Sequence, residues 1–228
     1  MVQLIIANKN YSSWSLRPWL LMTALEIPFE EVKLRLDFEE GSEFKRFLAG
    51  YTPAGRVPVL VDEGFAVWET PAIVEYLAEK FPAKPIWPAD AKARARARSV
   101  CAEMHAGFVA LRQHFPMNIE ASLLEVGRRV LASEPAVVRD VQRIVQMWTQ
   151  LLDASGGPFL FGGFSNADAY FAPVCTRLRT YGVPVPPAVQ AYVDRVWSLP
   201  AMQAWVREAM AEQDFLDFDE PYRSRRAG

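Results

Sequence analysis

The sequence has little of what metal centres and disulfide frameworks are built from. Its 228 residues include only two cysteines and two histidines. Cys101 and Cys175 stand far apart and neither belongs to a Cys-x-x-Cys pair, which argues against a disulfide framework, a zinc site and a dithiol redox centre. His105 and His114 have no carboxylate at ligand spacing, so we expect no bound metal. This use of cysteine favours a reducing, cytoplasmic setting.

Charge of one sign and long apolar runs are also scarce. Lys and Arg number 25 against 27 Asp and Glu, a formal net charge of −2, so no basic excess is available for nucleic acid or an anionic membrane. The opening apolar run breaks at Asn8-Lys9-Asn10 into a turn, too early for a signal-peptide core or a membrane span. Because 51% of the residues are hydrophobic, we expect a folded globular protein with a small-molecule partner.

Residues 1–81 are predicted to form an α/β domain with the element order βαβαββα. Charged and apolar side chains alternate from Glu31 to Leu36, the period of a strand with one buried face. Thr70 is placed to cap a helix whose first position is Pro71. In chain order, the predicted strands and helices cover residues 2–7, 16–26, 31–36, 42–49, 57–61, 65–68 and 71–80.

Residues 82–90 are predicted to be a proline-rich linker, and residues 91–228 an all-α domain, because strand alternation is absent after the linker. Ser165 and Asp168 have the spacing of a capping box, so we expect Asp168 to support folding rather than catalysis. The aromatic tail 214–218 is expected to pack over a groove, and 222–228 to be loose. The predicted helices cover residues 91–115, 119–132, 135–154, 166–180, 187–196 and 199–211.

Two motifs in the first domain are similar to those of the cytosolic glutathione transferase family. The segment TPAGRVPVL at 52–60 resembles the family's Asn-Pro-x-Gly-x-Val-Pro-x-Leu motif, with Thr52 in place of asparagine. The segment WETPAI at 68–73 resembles its Glu-Ser-x-Ala-Ile motif, with threonine in place of serine. With the βαβαββα order, the linker and the helical domain, the resemblance covers essentially the whole chain and implies a thioredoxin-like domain followed by an all-helical one, the glutathione transferase fold.

The resemblance implies a glutathione site built from both motifs. Pro58 would follow a cis bond and turn Val57 so that its N–H and C=O pair with the cysteinyl part of glutathione. Thr70 and the adjoining helix N-terminus suit the γ-glutamyl carboxylate, because free N–H groups and the helix dipole favour anions. Glu69 would receive the ammonium group. Arg56 is either the partner of the glycyl carboxylate or a surface arginine, and both interpretations stay open.

The loop after the first strand is where the family places the side chain that activates the thiol. It resembles the Ser-Ser-Cys-x-x-Arg pattern of the zeta class, with Trp14 replacing the cysteine, which indicates a serine-type, zeta/theta-like bacterial enzyme. Pro18 lacks an N–H and fits best in the first helical turn, which places the helix cap at Trp14 or Ser15. Ser12 and Ser13 are then the candidates to hydrogen-bond the thiol and lower its pKa, and the choice between them stays open.

The second substrate is expected between this loop and the first long helix of the α domain. A helix over 91–115 would place His105, Phe108 and Arg112 on one face, since they lie three, four and seven positions apart. Such a face suits an acidic or carbonyl-bearing electrophile, but equally a partly buried helix that contacts a dimer mate or solvent. The predicted pocket residues are Tyr11, Trp14, His105, Phe108, Arg112 and Asn118.

These residues predict an enzyme that binds glutathione as co-substrate, stabilises its thiolate through a serine hydroxyl and adds it to a small electrophile. The resemblance also implies a detoxification role and a homodimer. A glutathione-dependent cis–trans isomerase of the maleylacetoacetate type is an alternative, because the serine loop is zeta-like. An alternative of another class is a non-catalytic, glutathione-transferase-like ligand-binding module. The motifs do not identify the electrophile.

Overall fold

A computed structural model describes residues 1–224 of the protein. The first 80 residues form a sheet region in the predicted order βαβαββα, which confirms the thioredoxin-like arrangement. Most boundaries lie within two or three residues of those predicted. The elements are β1 (Val2–Ala7), α1 (Ser13–Ala24), β2 (Phe29–Leu34), α2 (Glu43–Ala49), β3 (Val59–Asp62), β4 (Phe65–Trp68) and α3 (Thr70–Lys80).

The four strands lie in the order β2-β1-β3-β4. β1 runs parallel to β2 and antiparallel to β3, with Leu4 opposite Leu60, and β3 and β4 form the predicted hairpin. The central strands β1 and β3 are apolar and buried at nearly every position, whereas the edge strands β2 and β4 expose part of their side chains. Continuous apolar strands are therefore found where helices cover both faces of the sheet.

Residues 81–90 contain no helix or strand, and the chain beyond them is helical, as predicted. The helix predicted over 119–132 begins only at Leu124. Its first residues are held elsewhere, because the backbone N–H groups of Ile119 and Glu120 donate to Asn10. The helices are α4 (Ala91–Ala106), α5 (Val109–His114), α6 (Leu124–Ser133), α7 (Pro135–Ser155), α8 (Asn166–Thr180), α9 (Pro187–Ser198) and α10 (Pro200–Glu212), followed by a 3-10 turn at Asp217–Asp219.

The capping box before α8 is present. The Ser165 N–H donates to Asp168 Oδ2 at 2.9 Å, and the Leu160 N–H and the Tyr192 hydroxyl donate to Asp168 Oδ1 at 3.1 Å each. Burial raises the pKa of Asp168 to about 6, although these hydrogen bonds favour its charged form. α8 is buried along most of its length and packs against α1, α4 and α9. Asp168 therefore holds the central helix in place, which confirms its structural role.

Lys9, predicted only as part of a turn, is the buried centre of a charged cluster. Its side chain is completely buried, and its ammonium pairs with Glu31 at 2.7 Å and with Glu208. The ammonium also lies over the rings of Trp19 and Trp205, 4.6 and 5.2 Å from their centroids. Cation–π contacts are strongest when the cation is removed from water, as here. Lys9 thus joins the end of β1 to α10, which lies almost 200 residues later in the chain.

Backbone groups strengthen the same junction. Glu212 accepts the N–H of Lys9 at 2.7 Å and that of Asn10 at 3.2 Å, and the Trp205 indole N–H donates to the Lys9 carbonyl at 2.9 Å. The loop that begins α1 therefore leaves β1 in a direction set by α10.

The end of the chain is better held than the sequence suggests. The Tyr222 hydroxyl donates to the His114 carbonyl at 2.8 Å, and Arg223 pairs with Glu120 at 3.2 Å and with Glu220. The prediction of a loose segment is therefore wrong for Tyr222 and Arg223, because a buried carboxylate and a carbonyl bind them. The final part of that prediction, residues 225–228, lies outside the described residues.

We expect Lys9→Met to lower the free energy of unfolding by about 2–3 kcal/mol, because methionine keeps the stem between the tryptophans but removes a buried cation from its carboxylates. Lys33→Met is the matched control. Lys33 is 43% exposed and pairs with Glu212 at 3.2 Å, so its loss should cost less than about 1 kcal/mol. Urea unfolding of both variants measures the difference, and equal losses would contradict a central role for Lys9.

Candidate active site

A cavity of about 740 Å³ lies between the sheet region and the helical region. Tyr11, Ser12, Ser13, Trp14, Leu36, Phe38, Phe44, Ala54, Arg56, Val57, Pro58, Trp68, Glu69 and Thr70 form one wall. His105, Val109, Arg112, Gln113, Pro116, Met117, Arg177 and Asp219 form the other. All the predicted glutathione-binding and serine residues line this one cavity, together with most of the residues predicted for the second substrate.

The Val57–Pro58 peptide bond is cis, as the resemblance implied. β3 begins two residues after Val57, so Val57 itself is outside the ladder. Within residues 1–224, neither its N–H nor its C=O bonds to another residue. A backbone segment with a free donor and acceptor at the wall of a cavity can pair with a peptide ligand, as an added strand does. Arg56 beside it is exposed and has no hydrogen-bond or ion-pair partner in the described chain.

α3 begins one residue earlier than predicted. Thr70 is the first helical residue and Glu69 is the N-cap, so the prediction of Thr70 as cap is wrong. The reason is the backbone of Glu69, whose φ of 66° leaves the strand sharply and whose carbonyl already accepts the Ile73 N–H at 3.0 Å. A positive φ at a non-glycine residue is strained, and such strained residues are enriched at functional sites. The turn points the Thr70 end of the helix into the cavity.

α1 also begins earlier than predicted, at Ser13, with Ser12 as its N-cap. The Leu16 N–H donates to the Ser12 carbonyl at 3.1 Å, so the helix is already formed before Ser15. The prediction of Ser15 or Trp14 as the cap is therefore wrong, and Pro18 lies inside the helix. Ser15 has another task, because its fully buried Oγ accepts the N–H of Ala7 at 3.2 Å.

The two candidate serines differ in their hydrogen bonds. Ser12 makes no side-chain cap bond although it stands at the N-cap. Its Oγ lies 2.7 Å from Ser15 Oγ, and the residue is 7% exposed. Ser13 is half-buried, and its hydroxyl has no partner within residues 1–224. Both hydroxyls are near the N-terminus of α1, where the helix dipole favours negative charge.

The third hydroxyl of the loop, that of Tyr11, is already engaged. It donates to Glu220 Oε1 at 2.7 Å and approaches the Asp214 carbonyl at 3.3 Å. Burial and the neighbouring Glu220 raise the pKa of Tyr11 well above its ordinary value. Tyr11 lines the cavity as predicted, but its proton is committed to the C-terminal segment.

The predicted helix over 91–115 is broken, so one helix face does not carry His105, Phe108 and Arg112 together. α4 ends at Gly107, where the backbone has room only for glycine, because a Cβ would lie 2.8 Å from the Glu103 carbonyl oxygen. Phe108 follows with a φ of 54°. Phe108 then packs into the hydrophobic core and does not line the cavity. The break still leaves His105 and Arg112 in the cavity wall.

Asn118 is a second correction to the predicted pocket. It is 2% exposed, and its Nδ2 donates to Glu220 Oε1 at 2.8 Å, which anchors the C-terminal segment. The amide is used for packing because the chain turns inward after α5, and Met117 rather than Asn118 reaches the cavity.

Phe38, Asp219 and Arg177 are among the cavity residues that sequence reasoning missed. Phe38 contacts Phe218 at a centroid distance of 5.2 Å, so the aromatic tail packs at the cavity as expected. The same tail brings in Asp219, which the aromatic pattern could have indicated. Arg177 is 4% exposed and gave no signal, because nothing in the pattern of α8 distinguishes a cavity-facing arginine. Burial lowers the pKa of Arg177 to about 10.

The sheet region, the helical region and the cavity between them together define a protein of the glutathione transferase type. Residues 11–80 match the family model "Glutathione S-transferase, N-terminal domain". Residues 92–195 match "Glutathione S-transferase, C-terminal domain". The chain belongs to the glutathione S-transferase family. Its zeta/theta-like subtype stays a prediction.

Solved and curated relatives agree with this family. A glutathione transferase homologue from Burkholderia, crystallised with bound glutathione, superposes with a TM-score of 0.69 and 25% identity over 92% of this chain and 98% of that one. The dichloromethane dehalogenase of Methylophilus leisingeri is 39% identical over 69 residues, 30% of this chain and 25% of that protein. The maleylacetoacetate isomerase of Pseudomonas aeruginosa is 34% identical over 95 residues, which are 41% of this chain and 44% of that protein. Both matches span less than half of the curated relative.

No helix within residues 1–224 is long and apolar enough to cross a membrane. In the same residues, no group of three His, Cys, Asp or Glu side chains is placed to hold a metal ion.

Asp219 gives a pH-dependent prediction. Burial, then the charge of Glu220, raise its pKa to about 6, although Arg177 opposes the shift. A carboxyl whose folded pKa exceeds its unfolded value loses stability as pH rises between the two values. Asp219→Asn should therefore stabilise the protein by about 1–3 kcal/mol above pH ~6.5 and hardly at pH ~4.

Urea unfolding at both pH values measures this, with Asp217→Asn as the control. Asp217 is an exposed carboxyl in the same turn, and its replacement should change the unfolding free energy by less than about 0.5 kcal/mol at either pH. A stabilisation by Asp219→Asn that is the same at both pH values would contradict the effect of burial on its carboxyl.

Proposed function

We propose that the protein is a glutathione-dependent transferase that holds the tripeptide against the sheet-region wall, stabilises its thiolate with the Ser12 hydroxyl and adds the sulfur to a small electrophile. The observation that carries this proposal is the single cavity that gathers Val57, Glu69, Thr70 and the serine loop. The glutathione-bound relative supports the choice of thiol.

Each part of glutathione has a matching group on this wall. The free N–H and C=O of Val57 suit the cysteinyl backbone, and the exposed Arg56 suits the glycyl carboxylate. Thr70 supplies a hydroxyl at the first position of α3, where the helix dipole favours the γ-glutamyl carboxylate. The Glu69 side chain is 53% exposed, its one ion-pair contact within the described residues is with His105 at 4.0 Å, and it can accept the ammonium.

Thr70→Val tests the glutathione site, because valine keeps the shape and removes only the hydroxyl. We expect KM for glutathione to rise about tenfold with kcat within about twofold, the loss of one hydrogen bond to a charged group. Thr176→Val is the control, since Thr176 is equally buried but bonds Pro173 within α8, away from the cavity. An unchanged KM in Thr70→Val would remove Thr70 from the site.

Buried hydrogen-bond support favours Ser12 over Ser13 as the thiolate donor. In the structure the Ser12 hydroxyl donates to Ser15 Oγ at 2.7 Å, and Ser15 Oγ is fully buried and also accepts the Ala7 N–H. We propose that the two hydroxyls reorient when glutathione binds, so that Ser15 donates to Ser12 and the one proton of Ser12 turns to the sulfur. Ser13 has no buried hydroxyl beside it to support it in this way.

The proposed reaction is a displacement in which the thiolate replaces a leaving group on the electrophile. The thiol proton leaves to solvent and the thiolate accepts the Ser12 hydroxyl hydrogen bond, which lowers the thiol pKa from about 8.5. The sulfur then forms a bond to the electrophilic carbon as the leaving group departs with its electron pair. Binding both reactants in one cavity supplies proximity, and the hydroxyl supplies stabilisation of the anion.

Ser12→Ala is expected to lower kcat about a hundredfold with a generic chloronitrobenzene, the usual cost of removing one anion-stabilising donor. Ser13→Ala should stay within about threefold. The ultraviolet absorbance of bound thiolate should show the thiol pKa rising in Ser12→Ala and remaining unchanged in Ser13→Ala. The reverse order of the two variants would transfer the role to Ser13, and full activity in both would remove the serine mechanism.

Isomerisation is the second candidate function, favoured by the maleylacetoacetate isomerase relative and the zeta-like loop. In that reaction glutathione adds to a double bond and leaves again, so nothing is consumed. Trp14 in place of the cysteine is the departure that weakens it. Isomerase turnover far above conjugation by the same preparation would favour this candidate.

The remaining alternative is that the protein is a ligand-binding module of the same fold and has no catalytic activity. Failure of the folded wild type to bind immobilised glutathione would favour it. The homodimer and the cytoplasmic location stay predictions.

A further inference from the structure

Arg112 and Arg177 in the helical wall, and Arg17 packed against Trp14 behind that wall, have no carboxylate partner within residues 1–224. Arg17 and Arg177 are 0% and 4% exposed, and Arg112 is half-buried in the cavity wall. Within residues 1–224 none of the three takes part in an ion pair. A buried charge without a counter-ion is costly, so proteins rarely keep one without a use for it.

The groups that do contact these guanidinium ions are neutral. Arg17 donates to the carbonyls of Tyr170 and Ser13 at 3.0 and 2.8 Å, and one of its nitrogens, Nη2, is buried with no partner in the described chain. Arg177 donates to the carbonyls of Phe115 and Pro173 at 2.7 and 3.1 Å. Carbonyl dipoles hold the side chains in place but leave their charge uncancelled.

Arg112 is the least engaged of the three. Within the described residues its guanidinium makes one hydrogen bond, to the His105 carbonyl at 3.4 Å, and its guanidinium carbon lies 5.7 Å from the ring centroid of Trp14. Burial, together with the charges of Arg177 and Arg112, lowers the pKa of Arg17 to about 9. Arg112 and Arg177 both line the cavity.

We propose that Arg112 and Arg177 form a carboxylate site, so that the electrophile used by this enzyme carries a carboxylate group on an apolar body. That the ligand is an electrophile rests on the proposed transferase function, whereas the anion site depends only on the residues of the helical wall. Arginine pairs with carboxylates through parallel N–H groups. Trp14, Val109 and Met117 on the same cavity surface accommodate the apolar part.

Asp219 limits the negative charge that the carboxylate site can accept. Among the described residues it is the one acidic side chain in the helical wall, and its carboxyl makes no hydrogen bond to another of them. It offsets part of the positive charge, which favours a single carboxylate over a more highly charged anion such as phosphate. The wall thus selects for one negative charge next to Arg112.

The test compares two unreactive ligands that differ only in charge, a dinitrobenzoate and the matching dinitrobenzamide, by equilibrium binding to the full chain. We expect the benzoate to bind at least about tenfold more tightly. Arg112→Gln should bring the two dissociation constants within about twofold. Arg128→Gln, at an exposed arginine of α6 paired with Glu125, should leave the preference unchanged.

Asp219→Asn is the second variant, because it removes the opposing carboxylate without touching the arginines. It should strengthen benzoate binding by a few fold and leave amide binding unchanged. Equal affinities in the wild type, an unchanged preference in folded Arg112→Gln, or weaker benzoate binding in Asp219→Asn would each overturn the carboxylate site.

Turnover separates this inference from the proposed function. The corresponding chlorodinitrobenzoate and chlorodinitrobenzamide share the same reacting carbon, where the C–S bond forms as chloride leaves with its electron pair. No turnover of either compound would count against the transferase, whereas equal turnover and equal binding would count against the carboxylate site alone.

Discussion

The junction of Lys9 with α10 is the interaction on which the rest of the site depends. A fully buried ammonium between two tryptophans pairs with Glu31 and Glu208, while Glu212 takes the backbone N–H groups of Lys9 and Asn10. Buried ion pairs fix geometry more reliably than they add stability. Here the geometry is the departure of the chain from β1, which places Ser12 and Ser13 at the N-terminus of α1 and in the wall of the cavity.

The C-terminal segment is fastened to the same loop from the other side. Glu220 accepts hydrogen bonds from Tyr11 and Asn118 and forms an ion pair with Arg223. The sequence alone did not indicate that these three side chains share one carboxylate. The Tyr11 hydroxyl therefore has its proton bound to Glu220 and not directed at the thiol. Asp219, the neighbouring residue, is carried into the helical wall, which explains how a short turn near the end of the chain takes part in the cavity.

The two walls of the cavity differ in charge and in purpose. The sheet wall offers free backbone groups, a helix N-terminus and a strained Glu69, all suited to a zwitterionic tripeptide. The helical wall offers arginines whose side-chain hydrogen bonds within residues 1–224 go to carbonyl oxygens, and Asp219 offsets part of their charge. Strain at Glu69 and uncancelled charge at Arg177 both cost stability, and natural proteins keep such features mainly at functional sites.

Local signals determined the fold and the glutathione-binding motifs. Alternating and continuous apolar runs predicted the strands, prolines and caps predicted most helices, and the Val57–Pro58 and Glu69–Thr70 motifs indicated the family, because each depends on residues close in sequence. Tertiary structure decided the rest. The start of α1 at Ser13, the break at Gly107, the inward turn of Asn118, the burial of Lys9 and the exposure of Arg177 to the cavity all depend on contacts between residues distant in the chain. No periodicity or spacing records those contacts, because they exist only once the helices have packed on the sheet.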